Sequence, residues 1–458
     1  MNQEKIINTI KNQRQHFKNG AALNYSYRIE QLKKLYNAVK EFTPEILKAL
    51  QNDLGKSDFE GYSTEVGIIL DEIRYAIKKL KKWINPKRVK TNLINIGAKS
   101  YIYHEPFGVV LIISPWNYPF QLAISPLVGA LAAGNTAVIK PSEFAAATSK
   151  VIQKMISEHF DDKAVSVIEG DVETNKFLLA QKWDFIFFTG SPNVGKIIMS
   201  ACTKNLTPNV LELGGKSPTI IHKDANIEKT AKKICWGKFL NAGQTCVAPD
   251  YLLAHDDIKD SLVEGIKKYI LEFYGNVPNK SIDYPKIINK NHFERLKNLM
   301  KNGKILFGGE IDEVKNKISP TLINHITLND PIMQEEIFGP ILPILTYQDI
   351  NDAIEIIYQN PNPLALYIFT NNKDVEKTIL GKVRFGGGCI NETIMHLSNP
   401  ELPFGGISSS GIGKYHGESS FKAFSNQKSI LKANKYMDNP LRYPPYKNKI
   451  RLVKMFLK

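Results

Sequence analysis

Asn241-Ala242-Gly243-Gln244-Thr245-Cys246 places one thiol just past a helical-looking run, Ile227 to Leu240, with small residues on both sides. Upstream, Leu211-Glu212-Leu213-Gly214-Gly215-Lys216 strands a carboxylate between apolar residues and glycines. A nucleophilic sulfur with a poised base can hold an acyl group covalently and then hydrolyse it. Neither half establishes this alone, and the rest of the chain must say what chemistry precedes the acyl step.

Four other segments carry candidate chemistry, each with a plain structural alternative. In Asp184 to Gly195 a buried strand runs through Thr189-Gly190-Ser191-Pro192 into a helix, a geometry that lets a dinucleotide pyrophosphate meet helix-terminal N–H groups. The spacing is G-x-x-x-x-G rather than G-x-G-x-x-G, so a simple strand–helix connection stays open. Ile139-Lys140-Pro141-Ser142-Glu143 closes another strand; Lys140 could bond ribose hydroxyls and Glu143 could act near a 2′ position, or Ser142 could just cap a helix. Ser114-Pro115-Trp116-Asn117-Tyr118-Pro119 is a proline-stiffened loop whose Asn117 amide could stabilise an oxyanion, or a structural turn. Gln334-Glu335-Glu336-Ile337-Phe338-Gly339-Pro340 offers Glu336 for a ribose and Phe338 for a flat ring, against ordinary solvated acids.

The elements around them predict an α/β protein. Residues 25 to 82 read as amphipathic helices, including Arg28 to Val39 and Thr64 to Leu80. From Phe107 onward, apolar β-branched runs alternate with helical stretches: strands at Val109–Ile113, Thr136–Ile139, Ala164–Ile168 and Phe185–Phe188, helices at Gln121–Ala133, Ala145–Ser157 and Thr174–Ala180. Continuous apolar strands between helices indicate a Rossmann-like parallel sheet covered on both faces. A second alternation from Pro218 through Thr346 and Leu364–Phe369 predicts a second α/β domain, and Pro403 to Gly413 reads as a returning loop.

Composition narrows the function classes. The chain has 458 residues, 43% hydrophobic and 23% charged, ordinary for a globular protein. Met1 to Lys18 lacks the apolar stretch of a signal peptide, and no long apolar window predicts a spanning helix. Cys202, Cys235, Cys246 and Cys389 form no C-x-x-C pair and no metal-ligating spacing, which fits free thiols in a cytoplasmic protein and reads the first, second and fourth as buried hydrophobes. The net charge of +15 argues little for nucleic acid: Gln427 to Lys458 holds nine bases against Asp438, a net +8. That tail, with Ile450, Leu452, Val453, Met455, Phe456 and Leu457 among its bases from Lys447 to Lys458, could rest on an anionic membrane surface or stay solvated.

The ordered set Pro-Trp-Asn-Tyr-Pro, Lys-Pro-Ser-Glu, Phe-Thr-Gly-Ser…Gly, Leu-Glu-Leu-Gly-Gly-Lys-Ser-Pro, Gly-Gln-Thr-Cys and Glu-Glu-Ile-Phe-Gly-Pro resembles the aldehyde dehydrogenase superfamily. Cys246-Val247-Ala248-Pro249-Asp250-Tyr251, Leu402-Pro403-Phe404-Gly405-Gly406, Tyr415-His416-Gly417 and Tyr443-Pro444-Pro445-Tyr446 are similar to its class 3 branch, which includes fatty aldehyde dehydrogenases. The resemblance covers nearly the whole chain.

It implies an NAD(P)-dependent oxidation of an apolar aldehyde (medium- or long-chain, aromatic or polyene, carotenoid-type aldehydes among them) to the acid. Cys246 is then the nucleophile, Asn117 and the Cys246 N–H hold the oxyanion, and Glu212 activates the hydrolytic water. Lys140 and Glu336 match ribose contacts, Glu143 lies near the 2′ position, Phe338 flanks the nicotinamide, and Gly190, Ser191 and Gly195 form the pyrophosphate turn. NAD or NADP would serve. Tyr118, Trp236, Phe404 and His416 match the aldehyde pocket. The implied domains are a cofactor domain over 1–211 with a β-arm near 88–105, a catalytic domain over 212–400, and a return segment, oligomerisation strand and basic tail over 401–458. Family members of this branch are dimers, so Ile96–His104 and Phe421–Leu431 are candidate interface strands. The membrane-bound fatty aldehyde members end in a hydrophobic anchor; here the tail is basic and short, so any membrane contact is expected to be peripheral. A redox-free thiol hydrolase, a coenzyme A-dependent acylating dehydrogenase and a basic binding protein are the rival readings.

Overall fold

A computed structural model of the chain describes residues 3–456; Met1 of the N-terminal segment and Leu457 and Lys458 of the basic tail lie outside the described residues. The helical opening forms as its apolar spacing predicts. Tyr25–Glu41 starts at Asn24, whose side chain accepts from the Ser26 N–H, and buries Leu32, Leu35, Ala38 and Val39 on one stripe. Thr43–Leu54 ends at Gly55 in a left-handed conformation, φ 71°. The expected Thr64–Leu80 helix begins differently: Tyr62–Val66 is a π turn that buries Glu65 and Val66, and the α-helix proper runs Gly67–Ile84.

The first sheet has six strands in the order Gly411–Ile412, Asn209–Leu213, Phe185–Gly190, Val109–Ile113, Thr136–Lys140, Val165–Val167. All pairs are parallel except the first. Val109–Ile113 and Thr136–Lys140 are buried along their whole length, which is why they read as unbroken apolar runs rather than alternating ones. The helix Gln121–Ala133 is buried at every residue after Gln121. It stops at Gly134, φ 91°, where a Cβ would stand 2.6 Å from the Ala22 carbonyl oxygen.

The expected return loop is partly a strand. Gly411–Ile412 pairs antiparallel with Leu211 and Glu212, because Phe404 and Tyr415 exchange backbone hydrogen bonds of 2.9 and 2.8 Å and close the segment between them into a hairpin. The second sheet begins at Pro218 and has the order Lys304–Phe307, Thr321–Asn324, Ile341–Tyr347, Tyr251–His255, Pro218–Ile221, Ala365–Phe369, Gly387–Ile390. The strand carrying Glu212 therefore belongs to the first sheet, and the crossover falls at the glycines 214 and 215.

A third sheet is the arm: Lys87–Val89, Lys99–Pro106 and Ser425–Lys432, all antiparallel. The expected strand Phe421–Leu431 starts late. Phe421 lies in the helix Gly417–Ala423, buried against Trp83 at 5.7 Å and His104 at 5.3 Å, and pairing begins at Ser425 opposite Pro106. Ile96 likewise precedes its strand, since Gly97 turns the chain with φ 83°.

Asn135 ties these parts together. Its Oδ1 accepts from the Gly108 N–H at 3.0 Å, and its Nδ2 donates to the Phe424 carbonyl at 2.9 Å and the Ala130 carbonyl at 3.3 Å. Asn135→Ala leaves these groups unpaired in a dry interior and is expected to cost about 1–3 kcal/mol. Urea unfolding checks this, and an unchanged midpoint would show that the three bonds contribute nothing.

Candidate active site

Cys246, the expected nucleophile, follows an unusual turn. The helix Ile227–Phe239 is followed by Asn241 (φ 52°), Ala242 (φ 51°) and Gly243 (φ 74°), three successive left-handed residues. Such backbone costs energy for non-glycine residues and persists only when its surroundings over-determine it. Here they do. The Asn241 N–H donates to Glu60 Oε1 at 3.0 Å, and its Nδ2 donates to the Asn117 carbonyl at 2.8 Å. Gln244 Nε2 donates to the Asn241 carbonyl at 3.0 Å and to the Lys286 carbonyl at 3.0 Å. At Gly243 a Cβ would stand 2.3 Å from the Gly339 carbonyl oxygen, so this position has no room for a side chain.

The turn delivers Cys246, part exposed, into a cavity of about 740 Å³. Asn117, Glu212, Gly190, Ser191, Glu336, Phe338 and Phe404 line the same cavity. Asn117 is 3% exposed and donates through Nδ2 to the Gln244 carbonyl at 3.1 Å, which holds its amide beside the nucleophile loop. Glu212, near the end of its strand, has both carboxylate oxygens buried with no hydrogen-bond partner among the described residues. Burial pushes its pKa well above the usual carboxylate range, and the Lys414 charge pulls it back.

The Cys246 thiol is also pushed up, by burial first and then by the negative charges of Glu336 and Glu212. Glu336 is raised well above its ordinary value by burial and by Asp250. Its carboxylate lies against Gly214, where a Cβ would fall 1.9 Å from Oε2. Phe338, φ 50°, packs edge-on against Trp116 with ring centroids 5.2 Å apart.

The other end of the cavity fits a dinucleotide. Strand Phe185–Gly190 delivers Thr189, whose hydroxyl is buried without a protein partner, to the cavity wall. Ser191 caps the helix Pro192–Thr203, its side chain accepting from the Val194 N–H at 3.4 Å. An unpaired hydroxyl at a glycine turn before a helix N-terminus is suited to phosphate oxygens. Such a cofactor would be held by Thr189, Gly190, Ser191 and Glu336, with Phe338 beside its reactive ring.

Several expected site residues lie elsewhere. Lys140 is 1% exposed and donates to the Pro141 carbonyl at 2.7 Å and to Glu143 Oε2 at 3.1 Å; neither it nor Glu143 lines the cavity. Gly195 faces the sheet, where a Cβ would meet Leu213 Cδ2 at 2.6 Å, so it lets helix and strand pack closely. Tyr118 stands behind the loop, its hydroxyl 2.7 Å from Thr245 Oγ1. Trp236 is 37% exposed and does not line the cavity. His416 does not either; it stacks on the outer side of Phe404 with centroids 5.2 Å apart, and burial lowers its pKa to about 4. Lys414 and Tyr415, beside Glu212, have no site role legible in the sequence, where Tyr415 figures only in the Tyr415-His416-Gly417 motif, because only the hairpin brings them there.

A profile of the aldehyde dehydrogenase family matches residues 1–430. The 4,4'-diaponeurosporen-aldehyde dehydrogenase of Staphylococcus aureus is 50% identical over 94% of this chain and 95% of its own length. Aldehyde dehydrogenase family 3 member A2 of Pongo abelii is 44% identical over 98% of this chain and 93% of its own. A substrate-bound structure of Staphylococcus aureus AldH superposes with a TM-score of 0.97 at 48% identity, covering 99% of each chain. An NAD-dependent aldehyde dehydrogenase from Sinorhizobium meliloti gives a TM-score of 0.87 at 27% identity over 96% of this chain and 89% of that one. This chain therefore belongs to the aldehyde dehydrogenase family, as an α/β oxidoreductase that oxidises aldehydes with NAD or NADP.

Proposed function

We propose that the chain oxidises an apolar, extended aldehyde to its carboxylic acid through covalent chemistry at Cys246. The convergence of Cys246, Asn117 and Glu212 on one cavity carries this reading. Sulfur attack on the carbonyl gives a thiohemiacetal, and the Asn117 amide with the Cys246 N–H stabilises its oxygen. Burial pushes the Cys246 thiol up, so attack requires its proton to pass to a base. NAD or NADP, when bound, supplies the hydride acceptor that turns the adduct into a thioester. Glu212 then takes a proton from water, the hydroxide adds to the thioester carbonyl, and the C–S bond breaks to release acid and thiol.

Phe404, Tyr415, Leu122 and Leu364 give the cavity apolar wall, which suits a hydrocarbon substrate. A polyene aldehyde is the favoured class, supported by the likeness to the staphylococcal diaponeurosporen-aldehyde enzyme. The expected roles of Lys140 and Glu143 near the ribose, and of Tyr118, Trp236 and His416 around the aldehyde, remain proposals at one remove from the cavity wall. So does the division at 211 and 400.

The arm supports a homodimer. Ser425–Lys432 is an edge strand, exposed beyond Ser425, of the kind that pairs or packs against a second copy. No helix among the described residues is long and apolar enough to cross a membrane. The tail helix Ile450–Phe456 exposes Ile450, Leu452 and Met455 beside Arg451 and Lys454, so we read the protein as cytoplasmic with peripheral contact to anionic lipid.

Cys246→Ala is expected to abolish the rise in reduced-nicotinamide absorbance on mixing aldehyde with NAD or NADP, leaving cofactor affinity intact; surviving turnover would refute the nucleophile. Glu212→Gln should give one burst of reduced cofactor and then slow by about 100- to 10,000-fold. Because burial raises the Glu212 pKa and only its ionised form acts, thioester hydrolysis should fall with decreasing pH, through a limb above the ordinary carboxylate range. An unmoved limb in Glu212→Gln would assign it to another group. Truncation before Lys447 should weaken sedimentation with phosphatidylglycerol vesicles, and equal binding would remove the tail from the membrane reading.

A further inference from the structure

The segment Lys56–Glu65 contains a fully buried ion pair that the reaction does not use. Lys56 Nζ stands 2.6 Å from Glu65 Oε1, with both side chains 0% exposed. Taking two charges out of water is costly, and a pair of apolar residues would fill the space more cheaply. What the pair contacts suggests why it is there. Lys56 also donates to the Asn117 carbonyl at 3.3 Å and lies 4.0 Å over the Tyr118 ring. Glu65 Oε2 accepts the Phe120 N–H at 2.9 Å and the Gln121 N–H at 3.2 Å, at the start of the helix Gln121–Ala133. Both ends of the stretch Asn117 to Gln121 are thus fixed by one ion pair.

The same segment reaches the nucleophile turn, since Glu60 accepts the Asn241 N–H and Asn241 in turn donates to the Asn117 carbonyl. The Asn117 carbonyl therefore receives two donors, the Lys56 ammonium and the Asn241 amide. Rotating this peptide would break both bonds and swing the Asn117 side chain off the cavity. None of Lys56, Glu60 or Glu65 lines the cavity that holds Cys246, and each meets it through Asn117 or Asn241.

We propose that Lys56 and Glu65 are positioning residues for oxyanion stabilisation, a buried charge clamp that orients the Asn117 amide toward the oxygen of the carbonyl attacked by Cys246. The inference rests on the reading of Asn117 as oxyanion donor. A merely structural pair would lower stability and slow every variant alike. A clamp acting through Asn117 loses its effect once that amide is gone.

The test is a double-mutant cycle on the full chain, reading the rate of the pre-steady-state burst of reduced cofactor with a saturating apolar aldehyde. Asn117→Ala should slow the burst by about 100- to 1,000-fold. Lys56→Met should slow it by about ten- to a hundredfold in the parent, with unchanged cofactor affinity, and by less than about twofold in the Asn117→Ala background. Equal slowing in both backgrounds, or none in the parent, overturns the clamp while leaving Asn117 in place. No slowing in Asn117→Ala itself overturns the oxyanion reading instead. Should Lys56→Met fail to fold, Glu65→Gln keeps an acceptor for the two backbone N–H groups and is read through the same cycle against the same outcomes.

Discussion

The placement of the thiol depends on a backbone-to-backbone contact, Gly243 against the carbonyl of Gly339, which leaves no space for a Cβ. Around this contact the chain takes three left-handed residues in succession, and side-chain amides of Asn241 and Gln244 hold them by bonding to main chain on either side. Since Phe338 precedes Gly339, the same contact that aims the sulfur also fixes the ring expected beside the nicotinamide. The Cys246 cavity lies at a seam: the turn with Cys246 feeds the second sheet, while the strand with Glu212 belongs to the first.

Burial then governs the chemistry of that seam. One thiol and two carboxylates line one cavity, and burial there disfavours the charged form of each. Glu212, Glu336 and Cys246 are accordingly all held toward their protonated forms. Lys414, tethered to the Gly386 and Gly405 carbonyls, is the cation that favours ionisation of Glu212. It arrives with the return hairpin, so the C-terminal part of the chain takes part in setting the base.

Charge is used differently in the buried ion pairs. Lys216 pairs with Asp250 at 2.7 Å and bonds the Ile332 and Glu335 carbonyls, and Asp250 accepts the Ile337 N–H. This buried pair fastens the segment around Glu336 much as Lys56 and Glu65 fasten the segment after Asn117. In both cases a lysine immobilises loop carbonyls that no regular hydrogen-bond ladder could satisfy. The tail bases Lys447, Arg451 and Lys454, by contrast, are exposed.

The sequence by itself determined most of the elements and the motifs that meet at the cavity. Buried strands such as Val109–Ile113 and the helix Gln121–Ala133 were legible because apolar runs and their glycine ends are local signals. Cys246, Glu212 and Asn117 were legible because few residue types perform acyl chemistry and each sat in an ordered motif. Tertiary structure alone decided the rest. It turned Gly195 toward Leu213, closed Lys140 onto Glu143, set Tyr118 behind its loop and His416 behind Phe404, and brought Lys56, Glu60, Glu65 and Lys414 to the site. Those outcomes rest on pairings between residues far apart in the chain. A side chain's partner across such a distance leaves no spacing or periodicity in the sequence for a local reading to find.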